Sequence, residues 1–322
     1  MKKYILLFLA IILVSCSKEK QHPFTYYYWK TNLRLDNKEA QALQKTTSPY
    51  LYTRFFDVDK IGNQFQPVGI ITKDGSFTTN KKIVPTIFIT NRTFFNIEKE
   101  DIEFLAKSIT DLIEKKKSEY HLNTHNEIQI DCDWTAGTKE DYFQFLKELK
   151  KVSNKEITTT LRLHQVKDKK LMGIPPVDKV YLMCYSTSSP LENSTRNSIL
   201  DTDLLKRYLA NLEDYHIKKI DIALPIYSWG IITNHIGKHK LINALSMKDL
   251  NQPNLKKISD NEAEVLKDDF YFGHFLNKGF KIKVEEITPE QLQETTTFIN
   301  KKIKDYTIIY YQLDSKFVND KH

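Results

Sequence analysis

The sequence predicts an α/β protein, a single-domain (β/α)8 TIM barrel. Three observations lead there. Strand-like apolar runs alternate with helical stretches along the chain, which argues a parallel sheet with helices packed on it. Eight such runs occur, and eight favour closure into a barrel over an open sheet. The third observation is Asp131-Cys132-Asp133-Trp134-Thr135, directly after Ile128-Gln129-Ile130. Two carboxylates two residues apart lie on one strand face, with Ile128, Ile130 and Cys132 on the other. Outward apolar side chains suit packing under helices, and inward polar ones suit the lining of a barrel.

In chain order the first element is a leader. Met1-Lys2-Lys3 precedes an apolar run from Tyr4 to Val14, too short to span a bilayer and of the length of a secretory signal. It ends in Leu13-Val14-Ser15-Cys16, which looks like a lipobox. Residues 1–15 are therefore expected to be a signal peptide, Cys16 the lipidated residue, 16–22 a tether and 23–322 the barrel. Ser17 after the cysteine fits an outer-membrane destination, on the periplasmic face or the cell surface. Strands are predicted at 24–29, 50–56, 83–90, 127–134, 158–164, 179–185, 219–227 and 306–313. Helices are predicted at 37–44, 98–117, 139–152, 202–214 and 289–304. The gap after the second strand shows no clear helix. Residues 260–283 are irregular and read as an insertion at the barrel rim.

Composition narrows the function classes. The formal charge is +7, but the lysine clusters around Lys117 and Lys150 are interrupted by Asp and Glu. They read as solvated helix faces, so no nucleic-acid partner is expected, and the chain is expected to be a monomer. Cys132 and Cys184 fall on strands four and six, which are not neighbours, and read as core thiols rather than a disulfide. No Gly-rich phosphate loop and no activated serine or cysteine is found. His121-x-x-x-His125 precedes strand four at the wrong end for catalysis, so neither metal nor cofactor is assigned.

Alternation predicts the inward faces. Strand four turns Gln129, Asp131, Asp133 and Thr135 inward, strand five Thr160, Arg162 and His164, and strand seven Ala223, Pro225, Tyr227 and Trp229. A lone buried charge is costly, so Arg162 is expected to pair with Asp131. At the carboxyl ends, where barrel sites form, stand Asp133, Thr135, His164, Tyr185, Tyr227, Trp229, Gln312 and Asp314, with Arg54 and Asp57 from strand two. Arg54 and Asp57 have opposite parity, so only one faces the cleft unless the strand bulges. Tyr26, Tyr28, Trp29, Trp134 and Tyr310 add aromatic surface near strand ends.

The stretch 128–135 resembles the Asp-x-x-Asp-x-Asp-Trp-Glu signature of the chitinase-type (family 18) glycoside hydrolases. Asp131, Asp133 and Trp134 match it, whereas Ile128 stands at the first aspartate and Thr135 at the glutamate. Val180-Tyr181-Leu182-Met183-Cys184-Tyr185 and the run from Ile222 to Gly230 resemble the family's sixth and seventh strands, with Ser186 where an aspartate often follows. The resemblance implies a glycan ligand and carries over Asp131, Asp133, Tyr185 and Tyr227, with Asp131, Asp133 and Tyr185 as the expected catalytic set. Arg54, Asp57, Trp134, Thr135, His164, Tyr227, Trp229, Gln312 and Asp314 are expected around the substrate, most of them from their place at the strand ends. In that family the glutamate is the acid and the neighbouring aspartate orients the substrate's acetamido group. Thr135 cannot donate a proton usefully, and the acid is sought among Asp57, Asp59 and Asp314. The expectation is a lipid-anchored envelope protein that binds or hydrolyses a polysaccharide. The alternative is a catalytically silent glycan-binding or envelope-assembly component.

Overall fold

The structure, a computed structural model, describes residues 21–62, 64–192 and 195–318, so the leader and Cys16 lie outside the described residues. Eight parallel strands close into a barrel: β1 (Phe24–Tyr28), β2 (Tyr50–Ile61), β3 (Lys82–Ile89), β4 (Glu127–Asp131), β5 (Glu156–Arg162), β6 (Lys179–Met183), β7 (Lys219–Pro225) and β8 (Ile308–Tyr311). Closure is made by β1, which pairs with β8 along Phe24–Tyr26 and with β2 from Tyr27 onward. Each of the eight predicted runs is a barrel strand.

The predicted faces follow. Ile128, Ile130, Cys132, Leu161, Ile220, Ile222 and Leu224 are buried in the layer between strands and helices, while Tyr27, Tyr52, Val84, Tyr181, Ala223 and Ile309 fill the barrel. Both cysteines of the described chain are free and buried. The helices are α1 (Asn37–Gln44), α2 (Lys99–Glu119), α3 (Lys139–Ser153), α4 (Leu163–Lys167), α5 (Lys169–Met172), α6 (Thr202–Tyr208) and α7 (Pro289–Lys302). Asp36 with Glu39 closes a capping box on α1, and Thr288 with Gln291 does the same for α7, satisfying first-turn N–H groups. Two helices escape the sequence reading. The chain turns helical at Leu163, so α4 begins within the predicted end of strand five, and α5 follows it. After β2 an antiparallel return strand, Gln64–Val68, takes the place of a helix.

Between β7 and α7 the chain leaves the barrel to build a second sheet. Its antiparallel strands are Trp229–Thr233, His239–Asn243, Leu255–Lys257, Glu262–Val265 and Lys281–Glu285, with a side hairpin of Asp269–Tyr271 and His274–Leu276. It has its own core, including Ile232, Ile242, Leu245, Val265, Ile282 and Val284. The insertion predicted at 260–283 thus begins at Trp229, and the Trp229-to-Asn243 hairpin had been overlooked. Gly230 lets Leu245 pack closely there: a Cβ would lie 2.4 Å from Leu245 Cδ2, so the leucine would have to shift.

The amino-terminal base of the barrel is plugged. Glu127 accepts from Lys179 Nζ (2.7 Å), the Tyr181 hydroxyl (2.6 Å) and Thr158 Oγ1 (2.8 Å). His22, just before β1, stacks on Tyr306 at 3.7 Å and holds Asn300 Oδ1 at 2.7 Å.

Candidate functional site

The site is set by the register of β4 on β5. Gln129 lies opposite Thr158 and Ile130 opposite Thr159. The same offset brings Thr160 to Asp131 and Arg162 to Asp133. Thr160 Oγ1 donates to Asp131 Oδ1 at 2.7 Å. Arg162 forks onto Asp133, Nε to Oδ1 at 2.5 Å and Nη2 to Oδ2 at 2.7 Å. The expected Arg162–Asp131 pair is therefore corrected: the arginine stands one inward position nearer the mouth. Among the described residues no cation lies within ion-pair distance of Asp131. Burial, and next the charge of Asp133, push its carboxyl up to about 6, against the pull of Thr160 and Arg162.

At the carboxyl ends of the strands a cleft of about 590 Å³ opens over Asp131, within the usual range for a ligand site. Its walls are aromatic. Tyr311 stacks on Tyr185 at 5.5 Å between ring centres and lies 5.6 Å from Trp29 and 5.7 Å from Tyr227. Trp229 stands 5.3 Å from Tyr227, fixed by its indole N–H on Glu285 Oε2 at 2.8 Å. The insertion thus supplies part of the wall, with Asn243 beside Trp229. Burial pushes the Tyr227 phenol up to about 12, so near neutral pH it remains a hydrogen-bond donor. A second lobe of about 310 Å³ adjoins the first, lined by Asp133, His164, Tyr208 and residues 186–189. The lobes share Arg162, Tyr185 and Ser186.

The sequence-predicted residues divide. Asp131, Tyr185, Tyr227, Trp229, Gln312, Asp314 and Asp57 line the main cleft, and Asp133 and His164 line the second lobe. His164 arrives from α4 rather than from a strand, and burial, then Arg162, holds its imidazole below its usual pKa. Arg54 and Asp57 meet because β2 bulges between Arg54 and Phe56, allowing Arg54 Nε to reach Asp57 Oδ1 at 2.6 Å. Asp59, considered for the acid, is held down to about 2 by Arg92 and Thr90. Asp314 lies 3.5 Å from Lys30 Nζ.

Two assignments are corrected. Trp134 is fully buried away from the cleft, stacked on Tyr142 at 5.2 Å, with its indole N–H on the Met172 carbonyl at 3.0 Å. Thr135 is exposed and lines neither lobe, its backbone N–H donating to Thr138 Oγ1 at 3.0 Å. Both follow from one fact: β4 ends at Asp131, so strand alternation cannot be extended four residues beyond it. Tyr26 and Tyr310 pack against each other at 5.8 Å in the outer layer. Tyr28 turns outward to donate to Asn32 O. The cleft ring from β8 is Tyr311, which was missed, because Ile308-Ile309-Tyr310-Tyr311 is apolar on both faces and offers no parity signal.

Among the described residues one trio, His125, Glu127 and Glu156, has its ligand atoms close enough to share a metal ion. It sits at the base, with the Lys179 ammonium on Glu127 where a cation would compete.

No family model matches the sequence, and no curated protein is similar to it. Solved structures are similar in fold. The spore cortex-lytic enzyme SleL of Bacillus megaterium QM B1551 aligns with a TM-score of 0.61 and 16% identity, over 95% of this chain and 73% of that one. A chitinase of Chromobacterium violaceum ATCC 12472 gives 0.56 and 10%, over 94% and 96%. SleL of Bacillus cereus gives 0.54 and 15%, over 91% and 71%. The chain has the closed barrel seen in these chitinase-like proteins. At such identities the likeness establishes the fold alone.

Proposed function

We propose that the protein binds a polysaccharide strand in the two-lobed cleft without cleaving it by the substrate-assisted route of chitinase-like barrels. One observation carries this reading: the Arg162 fork engages both oxygens of Asp133. The carboxylate that would orient an attacking acetamido group is held by Arg162 on the wall of the second lobe rather than in the main cleft, and the position of the proton donor, Thr135, is turned to Thr138 outside the cleft. Loss of a general acid alone costs on the order of 10²- to 10⁴-fold in rate. What remains is a binding surface: aromatic faces from four barrel strands and the insertion, with Asp131, Asn243, Gln312 and Asp314 to meet hydroxyls.

The reading includes the tether. An acylated Cys16 would carry this barrel on the outer membrane as a component of the cell envelope, supported by the leader and the Leu13-Val14-Ser15-Cys16 motif. The test is affinity electrophoresis of the purified protein in gels cast with plant, algal and bacterial-wall glycans, run beside a reducing-end assay on the same panel. Retardation without release of reducing ends is the expected result. Release that peaks near pH 6 and disappears in Asp131→Asn would overturn it and make Asp131 the acid of a hydrolase.

A further inference from the structure

The charge balance of the cleft narrows the class of glycan, and this inference rests on the binding reading above. Asp131 and Asp133 share a single guanidinium, and Arg162 is forked onto Asp133. Asp131 is only 8% exposed, yet it lines the main cleft. Thr160 donates to one of its oxygens, and among the described residues no donor reaches the other and no cation pairs with the group. A buried carboxylate without a counter-charge is costly, and a ligand that brings a positive charge to it relieves that cost. We infer that the cleft takes a glycan bearing free ammonium groups, a de-N-acetylated hexosamine chain, with one ammonium seated on Asp131.

The neighbouring groups are acceptors in surplus. Gln312 Oε1, in the same lining, is buried without a hydrogen-bond partner among the described residues. Asp314 shares Lys30 with the buried Glu39. An ammonium offers three donors and no acceptor, which matches such a lining. Lys316 also lines the cleft but is exposed, where a solvated ammonium adds little.

The walls suit a cation as well. Tyr311 lies 5.5 Å from Tyr185, 5.6 Å from Trp29 and 5.7 Å from Tyr227. Burial, and next the charge of Asp131, raise its phenol, so this ring stands within electrostatic reach of the carboxylate. A cation held within about 6 Å of aromatic faces is attracted by them. An acetamido N–H or a hydroxyl can use the same acceptors, but each brings one donor and no charge. The charge-assisted bond is roughly twice as strong as the neutral one, so the discrimination rests on Asp131. A protonated amine also has no carbonyl oxygen with which to attack an anomeric carbon, in keeping with binding without cleavage.

The test is titration calorimetry of the full processed chain with tetramers of glucosamine, N-acetylglucosamine and glucose in one common linkage, which differ only in the group on the second carbon. The buffer is set slightly above the Asp131 value of about 6, so that most of the carboxyl is ionised while the sugar amine is still largely protonated. The glucosamine tetramer should bind about tenfold or more tighter than the other two. Asp131→Asn, which removes the charge and still accepts from Thr160, should bring all three within roughly threefold of one another. If the variant weakens all three in parallel and keeps the preference, Asp131 does not hold the ammonium and the inference fails. It fails too if another tetramer binds as tightly in the parent, or if none of the three binds while a polymer still retards the protein; glycan binding then stands. If none binds and no polymer retards the protein, the binding reading itself has failed. The ranking in the parent decides the matter even if Asp131→Asn does not fold.

Discussion

Asp131 carries the cost of a buried carboxyl. Its carboxyl is raised from near 3.8 to about 6 by burial, so the native state holds the proton more tightly than the unfolded chain does. Stability from this group is therefore full below about pH 4 and is lost as the pH rises to about 6. Asp131→Asn removes the penalty and still accepts from Thr160. The variant should be more stable than the parent by roughly 2 to 3 kcal/mol at pH 7.5, with the gain vanishing towards pH 4, as thermal melts across that range would show. Arg162→Met breaks a different contact. Asp133 is 42% exposed, so the loss should fall below the 3 to 5 kcal/mol of a buried pair, at about 1 to 2 kcal/mol. A double-mutant cycle with Asp133→Asn should recover most of that as coupling. A donor placed at the wrong site does nothing: Thr135→Glu should leave hydrolysis of a fluorogenic chitobioside at the parent's background, because residue 135 stands outside the cleft.

At the scale of elements, legibility followed hydrophobic alternation and stopped where alternation stopped. Strands with one polar and one apolar face, such as Ile128 to Asp131 or Ile220 to Pro225, were placed with the right side inward. The opposed parity of Arg54 and Asp57 admitted only one of them to the cleft unless the strand bulged; the strand does bulge, and of the two Asp57 lines the cleft. Errors gathered just past strand ends. Trp134 and Thr135 were assigned as though β4 continued, and His164 as though β5 did, although loop and helix had taken over. Arg162 was matched to the wrong aspartate because single-strand periodicity gives faces but no register between strands. The hairpin that carries Trp229 and Asn243 was invisible for another reason: its contribution to the cleft depends on contacts with Tyr227 and Glu285 that are remote from any local motif. Gly230 lies in that hairpin, closely approached by Leu245. Gly230→Ala should drive a methyl into Leu245, lower stability by about 1 to 3 kcal/mol and weaken glycan binding through Trp229, which melting curves and calorimetry would register together.

For the whole molecule, the barrel and its insertion are two cores meeting at one cleft. Cys16→Ala should block processing and shift the protein out of the detergent-extracted membrane fraction. Unchanged size and unchanged membrane association would remove the anchor from the account. If the anchor holds, the clamp of His22 on Tyr306 and Asn300 acquires an orienting role. It pins the chain to the base of the barrel, at the end of the strands opposite the cleft. The residues from Cys16 to His22 span at most roughly 25 Å when extended, and strands of this length add on the order of 20 Å more. The cleft would then open away from the bilayer, at a standoff set by the barrel's own height. Sugars attached to lipid headgroups at the protein's own foot would lie beneath the plug of Glu127 and Lys179, out of reach. The glycans presented to the cleft would be those arriving from the far side, as free chains or as strands of a wall or matrix.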